Sequence, residues 1–179
     1  MNKNFQLVIV GVGGQGILTV SDILGTAAIE DGIKVVMSEV HGMSQRGGVV
    51  VAEMKMGGYS SPLIADGAAS AILSFEPAEA YRTLSKAHKG TYVITNIEPL
   101  VPPGALMGKE SYPQPDDLIV KMKNAGLNAA GIPATDIASQ AGTSRAGNIV
   151  MLGALSAVKE FPVKIETIEK VISEKFPKF

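Results

Sequence analysis

The chain has 179 residues, of which 46% are hydrophobic and 18% charged, with a formal net charge of -1. That length and apolar content suit one domain with a substantial core, and the near-neutral charge excludes an electrostatic case for nucleic acid or an anionic membrane. Cysteine is absent, so disulfides, a catalytic thiol and cysteine-ligated zinc or iron–sulfur centres are excluded within these residues. No apolar run reaches the roughly 18 residues of a membrane span, and no signal-peptide segment precedes the first strand. A soluble, cytoplasmic protein is expected.

Phe5 to Val10 is β-rich and runs into Gly11-Val12-Gly13-Gly14-Gln15-Gly16. Ile17, Val20, Leu24, Ala27 and Ala28 then recur at helical spacing, and Gly32 supplies the stop. Ile33 to Ser38 is a second strand, which completes a βαβ unit with parallel strands and a right-handed connection. A dinucleotide-binding fold would next need a crossover of about a dozen residues. Instead the polar, glycine-bearing segment Glu39 to Gly48 leads directly into a strand over Val49 to Met56. So short a connection predicts an antiparallel or edge strand, with Val51, Glu53 and Lys55 on a wet face.

Ala71 to Phe75 is a further strand. Pro77, followed by a stripe of Ala78, Tyr81, Leu84 and His88, predicts a helix ended by Gly90, after which Thr91 to Thr95 resumes the sheet. Residues 96 to 115 carry five prolines and form a long loop. Loops of that length are usually functional or interfacial. A helix near Asp116 to Asn124 and a short segment at Asn128 to Ala134 follow. Arg145 to Val158 reads as a helix apolar on nearly every side, buried or at an interface, and Ile165, Ile168, Ile172 and Phe176 mark an amphipathic C-terminal helix. The expected fold is one α/β domain over 1–179, three layers (α/β/α) around a mixed, mostly parallel sheet.

Two segments carry candidate sites. Gly11, Gly13 and Gly16 satisfy the G-x-G-x-x-G spacing in a strand-to-helix turn, with Gly14 and Gln15 between them, and such a turn offers unpaired N–H groups to an anion. Glu39 stands about where a nicotinamide enzyme places its ribose-binding acid. The missing crossover and Gln15 weigh against that, which leaves an anion, another cofactor or a partner chain as the occupant. No lysine follows Gly16, which excludes a P-loop NTPase. The second segment places Glu39, His41, Gln45 and Arg46 before Gly47 and Gly48. Arg46 could clamp an anion and His41 could transfer protons, or Glu39 and Arg46 could pair to hold the loop. His88 is read as a cation at a helix end. Ser144 is read as the N-cap of the apolar helix. Two histidines and scattered carboxylates assemble neither a metal site nor a serine triad.

Taken together, Gly11 to Gly16, Ser38-Glu39-Val40-His41-Gly42-Met43-Ser44-Gln45-Arg46-Gly47-Gly48 and Ser61-Pro62-Leu63-Ile64 resemble the gamma-type domain of 2-oxoacid:ferredoxin oxidoreductases. The ungapped second motif is similar to the beta subunits of the indolepyruvate branch. Phe75 to Ala80, the loop through Tyr112-Pro113, and Met151 to Leu155 fit the same pattern. The resemblance implies one subunit of an enzyme that oxidatively decarboxylates aryl pyruvates with coenzyme A and passes electrons to ferredoxin. It places thiamine diphosphate, Mg and the iron–sulfur clusters in a large alpha subunit, and it carries no catalytic residue onto this chain. Alternatives are a stand-alone NAD(P)-dependent dehydrogenase and a gamma subunit of a pyruvate or 2-oxoglutarate oxidoreductase. A homodimer of the isolated chain would form through the apolar helix or the Pro-rich loop.

Overall fold

The first strand, β1 (Phe5–Val12), is apolar on both sides of its pleat, as a strand covered on both faces must be. Leu7, Val8, Ile9 and Val10 are all fully buried. The protein is described by a computed structural model over residues 4–41, 47–101, 107 and 111–177. After β1 the chain forms α1 (Ile17–Glu30), β2 (Val35–His41), β3 (Val49–Met56), β4 (Ala69–Ser74) and α2 (Pro77–Arg82). A 3₁₀ turn (Leu84–Lys86) leads into β5 (Ala87–Asn96), then α3 (Pro115–Asn124), β6 (Asn128–Ile132), α4 (Ala134–Gln140), α5 (Gly147–Ser156) and α6 (Ile165–Lys175).

The strands form one mixed sheet in the order β2-β3-β1-β4-β5-β6. β1, β4, β5 and β6 are mutually parallel, while β3 runs antiparallel to both β1 and β2. On one face Leu7, Ile9, Ala71 and Leu73 pack against α1, α5 and α6 through Val20, Leu24, Met151, Leu155 and Ile168. On the other, Val8, Val10, Ile72 and Val93 meet Ala80 of α2 and Leu118, Ile119 and Met122 of α3. Each fully buried aliphatic side chain contributes about 1.5–3 kcal/mol of transfer free energy, which makes these two layers the main source of stability.

The expected three-layer, mixed α/β fold is observed, with corrections in detail. β1 and β2 do point the same way, but β3 is inserted between them, so β3 is an interior strand and β2 the edge. On the face of β3 expected to be wet, Val51 and Lys55 are half-exposed but Glu53 is buried. Glu53 is 9% exposed, its Oε2 accepts from Ile64 N–H at 2.8 Å, and Lys86 Nζ stands 3.3 Å from Oε1. That pair folds Ser61 to Ile64 over the sheet, which local alternation cannot foretell.

The helix after Pro77 stops at Arg82 and tightens, with Thr83 N–H shared between the carbonyls of Glu79 and Ala80. His88 and Gly90 therefore lie in β5, at an irregularity in its pairing with β4 where Gly90 has φ +92°. His88 is not a helix-end cation. The C-terminal helix buries Ile168 and Val171, whereas Ile165 and Phe176 are 45% and 36% exposed.

Candidate functional site

The carboxyl ends of β1, β4, β5 and β6 converge on a cleft of about 220 Å³. Gly14 and Gln15 of the β1–α1 turn form one wall, with Phe75 after β4 and Asn96 at the end of β5. Ala134 and Thr135 at the start of α4, and Ser144, Arg145, Gly147, Asn148 and Met151 at the entry to α5, form the other. Crevices at strand carboxyl ends are the usual ligand sites of open α/β sheets.

The turn itself is built from its glycines. Gly14 and Gly16 have φ of +104° and +83°, which any other residue adopts only under strain. A Cβ at Gly16 would meet the side-chain amide of Asn148, so this glycine allows α5 to close against α1. Gly16 is the N-cap of α1, without a side-chain cap or an acid in the first turn. The first intrahelical bond is Val20 N–H to Gly16 carbonyl at 3.1 Å. The N–H groups of Ile17, Leu18 and Thr19 therefore have no partner within the helix, at the positive end of its dipole.

α4 starts at the same cleft but is already answered. Glu98 accepts from Thr135 N–H at 3.0 Å and Asp136 N–H at 3.2 Å, and Asn96 Oδ1 accepts from Ala134 N–H at 3.2 Å. Its positive end is neutralised by a carboxylate from the Pro-rich loop. Among the described residues the start of α1, beside the Gly14-Gln15 wall, has neither a side-chain cap nor an acid in its first turn, and Arg145 supplies the cationic side chain of the cleft lining. Thr143 caps a 3₁₀ turn (Ser144–Ala146) ahead of α5, its Oγ1 accepting from Arg145 N–H at 3.4 Å. α5 itself has Ala146 at its N-cap with no side-chain cap; Ser144, expected as the N-cap, instead lines the cleft.

The second candidate segment arrives at the same end of the sheet. Gly13 N–H donates to the Gly48 carbonyl at 2.9 Å, and Val12 pairs with Val49, so the β2–β3 connection joins the glycine turn directly. Glu39 is itself part of β2, where it pairs with Ala52 of β3, and is exposed. With β3 between them, Glu39 lies two strand spacings from β1, about 10 Å, instead of on the adjacent strand where a ribose-binding acid belongs. His41 ends β2; Gln45 and Arg46 lie outside the described residues, and Gly47 opens the return into β3.

Beside the cleft, Glu76 (2% exposed) caps α2 by accepting from Glu79 N–H at 3.0 Å and also receives the Tyr112 hydroxyl. Burial, then the hydrogen bond and charge of Glu76, hold the Tyr112 phenol well above its ordinary range. Among the described residues no cluster of three or more His, Asp or Glu could hold a metal ion. Reasoning from the sequence missed Asn96, Glu98 and Thr135. The polar break after the apolar run of β5 was the available signal, since loops at strand carboxyl ends carry sites in this architecture.

The model of the pyruvate ferredoxin/flavodoxin oxidoreductase family matches residues 6–179. The chain is 39% identical over 169 residues to indolepyruvate oxidoreductase subunit IorB of Archaeoglobus fulgidus, covering 94% of this chain and 84% of that protein. It is 42% identical over 178 residues to the IorB subunit of Thermococcus kodakarensis, covering 98% and 88%. Among solved structures, 2-oxoglutarate:ferredoxin oxidoreductase from Magnetococcus marinus, with 2-oxoglutarate, coenzyme A and succinyl-CoA bound, aligns at TM-score 0.72 and 22% identity. That alignment covers 99% of this chain and only 28% of the other, so the same fold there is one part of a much longer polypeptide.

Proposed function

The chain belongs to the pyruvate ferredoxin/flavodoxin oxidoreductase family, and from that premise we propose that it is the small, IorB-type subunit of a cytoplasmic indolepyruvate oxidoreductase. The observation that carries this is the 39–42% identity to IorB subunits over nearly the whole chain. In the proposed reaction an aryl pyruvate from aromatic amino-acid catabolism is oxidatively decarboxylated, coenzyme A takes the acyl group, and ferredoxin takes the electrons.

The residues of this chain do not fit the redox and carbanion cofactors of that reaction. It has no cysteine for iron–sulfur clusters and no Gly-Asp-Gly element for the magnesium of thiamine diphosphate. Those groups belong to the large alpha subunit, the principal partner. What this chain offers is a half-site for an anionic substrate. Ordinary ligand pockets run from about 300 to 1,000 Å³, so a cleft of about 220 Å³ holds part of a ligand and leaves the rest to the partner. The Arg145 guanidinium in the cleft, on the side of the uncapped start of α1, suits a phosphate of coenzyme A. The β2–β3 connection, with Glu39, His41, Gln45, Arg46 and Gly47, is proposed as the rim that meets the alpha subunit.

The test is reconstitution. The chain mixed with its large subunit should reduce a viologen dye in the presence of indolepyruvate and coenzyme A, and neither protein should do so alone. Turnover by the purified chain alone, or a complex indifferent to coenzyme A, would sink the proposal.

A further inference from the structure

The strand order reverses between β1 and β4: β1 leads through α1 to one side of the sheet, and β4 leads through α2 to the other. Such a reversal opens a crevice between the two parallel strands, where doubly wound sheets hold their ligands. Here the carboxamide of Gln15 fills it. Oε1 accepts from Val12 N–H at 2.7 Å, and Nε2 donates to the Phe75 carbonyl at 2.9 Å, so one side chain is bonded to both lips. The space beneath is closed as well, since a Cβ at Gly11 would stand 2.7 Å from Gln15 Oε1 and 3.0 Å from Phe75 Cβ. The lip on β1 offers a donor and the lip after β4 an acceptor, and an uncharged carboxamide answers both at once. A glutamate would satisfy Val12 but set a carboxylate against the Phe75 carbonyl, beside the positive end of α1.

We infer that Gln15 is a positioning and specificity-determining residue: it plugs the switch-point crevice and directs the anionic end of the ligand sideways, into the adjacent cleft lined by Arg145. The inference rests on the coenzyme A reading of the cleft given above and deepens it. A dinucleotide, whose pyrophosphate would lie along the crevice, is refused; a single anionic group on a flexible stem is accepted beside the plug.

The experiment uses the reconstituted complex carrying Gln15→Glu, Gln15→Met or Arg145→Ala, with assembly checked by gel filtration. KM is measured separately for coenzyme A and for the aryl pyruvate. Gln15→Glu should raise the coenzyme A KM about tenfold, a shift appropriate to a charge placed at a helix start, with at most about a twofold change for the aryl pyruvate. Gln15→Met, which deletes both hydrogen bonds without adding charge, should raise it about threefold. If Arg145→Ala raises the coenzyme A KM while Gln15→Glu does not, the inference is overturned and the cleft reading stands. If neither variant moves it, both fall. Should Gln15→Glu fail to assemble, Gln15→Met decides: lower kcat with unchanged KM values would mark Gln15 as a mere prop and overturn the inference.

Discussion

Either side of β1 the sheet is built under different rules. On one side β4, β5 and β6 run parallel, each return passing through a helix, so Ile72, Leu73 and Val93 are fully buried between two helical layers. On the other side β3 and β2 form an antiparallel wing joined by a short connection. Ala52, Met54 and Met56 are fully buried on one face of it, while Val40 is 62% exposed. A parallel sheet needs cover on both faces because its crossovers put helices there; an antiparallel pair can leave one face open. The consequence is a division of labour. The parallel half ends in a pre-formed cleft, and the wing presents surface beside it.

The largest effect that would expose this difference is cavity formation in the parallel half. Leu73→Ala should destabilise the isolated chain by about 2–5 kcal/mol in urea unfolding. A loss under 1 kcal/mol, on the same scale, would show that β4 is not the doubly covered strand described.

Glu53→Ala tests the part of the wing that is buried. It strips the Ile64 N–H and the Lys86 ammonium of their shared acceptor, and about 1–3 kcal/mol should be lost. An unchanged urea midpoint would return this face of β3 to solvent.

Arg145→Ala tests the cleft as function. The coenzyme A KM of the complex should rise about tenfold, or about 1.4 kcal/mol, while the melting temperature of the free chain hardly moves.

A fourth test concerns the helical layer spanning both halves. Burial alone would push Asp31 up, but the Lys164 N–H, the Thr167 hydroxyl and the Lys164 charge outweigh it and hold its pKa below 3.8. Because the folded value is depressed, the tie between α1 and α6 is fully present above the unfolded carboxylate range and is lost as pH falls through the lower folded value. Asp31→Asn should therefore lower stability modestly at pH 7 and converge with the wild type in strong acid. Curves that run parallel across the acid range would refute the assignment.

The smallest effect is expected at Val40. Val40→Ser should cost the isolated chain under about 0.5 kcal/mol, and any larger defect should appear only on assembly with the alpha subunit.

Residue patterns gave away the elements whose periods are clean. The apolar run of Phe5 to Val10, the stripe of α1 and the strand at Val49 appear where expected, because each is dictated by local turn chemistry and burial period. Glu39 to His41, expected in the loop, instead extend β2 by pairing with Ala52, Val51 and Val50. The helix after Pro77 is different. Its stripe continues through Leu84 to His88, yet Lys86 is drawn to Glu53 and the Ile64 carbonyl, and β5 begins at Ala87. A tertiary tether outweighed the local period, and no window of sequence contains both ends of it.

Residue order alone set the fold class, the family and the glycine turn, since these depend on composition, motif spacing and the φ range open to glycine. It could not determine what Gln15 does. Val12 and Phe75 become the two lips of one crevice only when β1 and β4 pair, 60 residues apart from the glutamine to the second lip. Nor could it say which helix start meets a carboxylate. Glu98 meets the start of α4 from 37 residues away, whereas the start of α1 has no side-chain cap among the described residues. Spacing along the chain fixes what a turn can adopt; which charges and lone pairs it meets is decided by strands brought together from far apart.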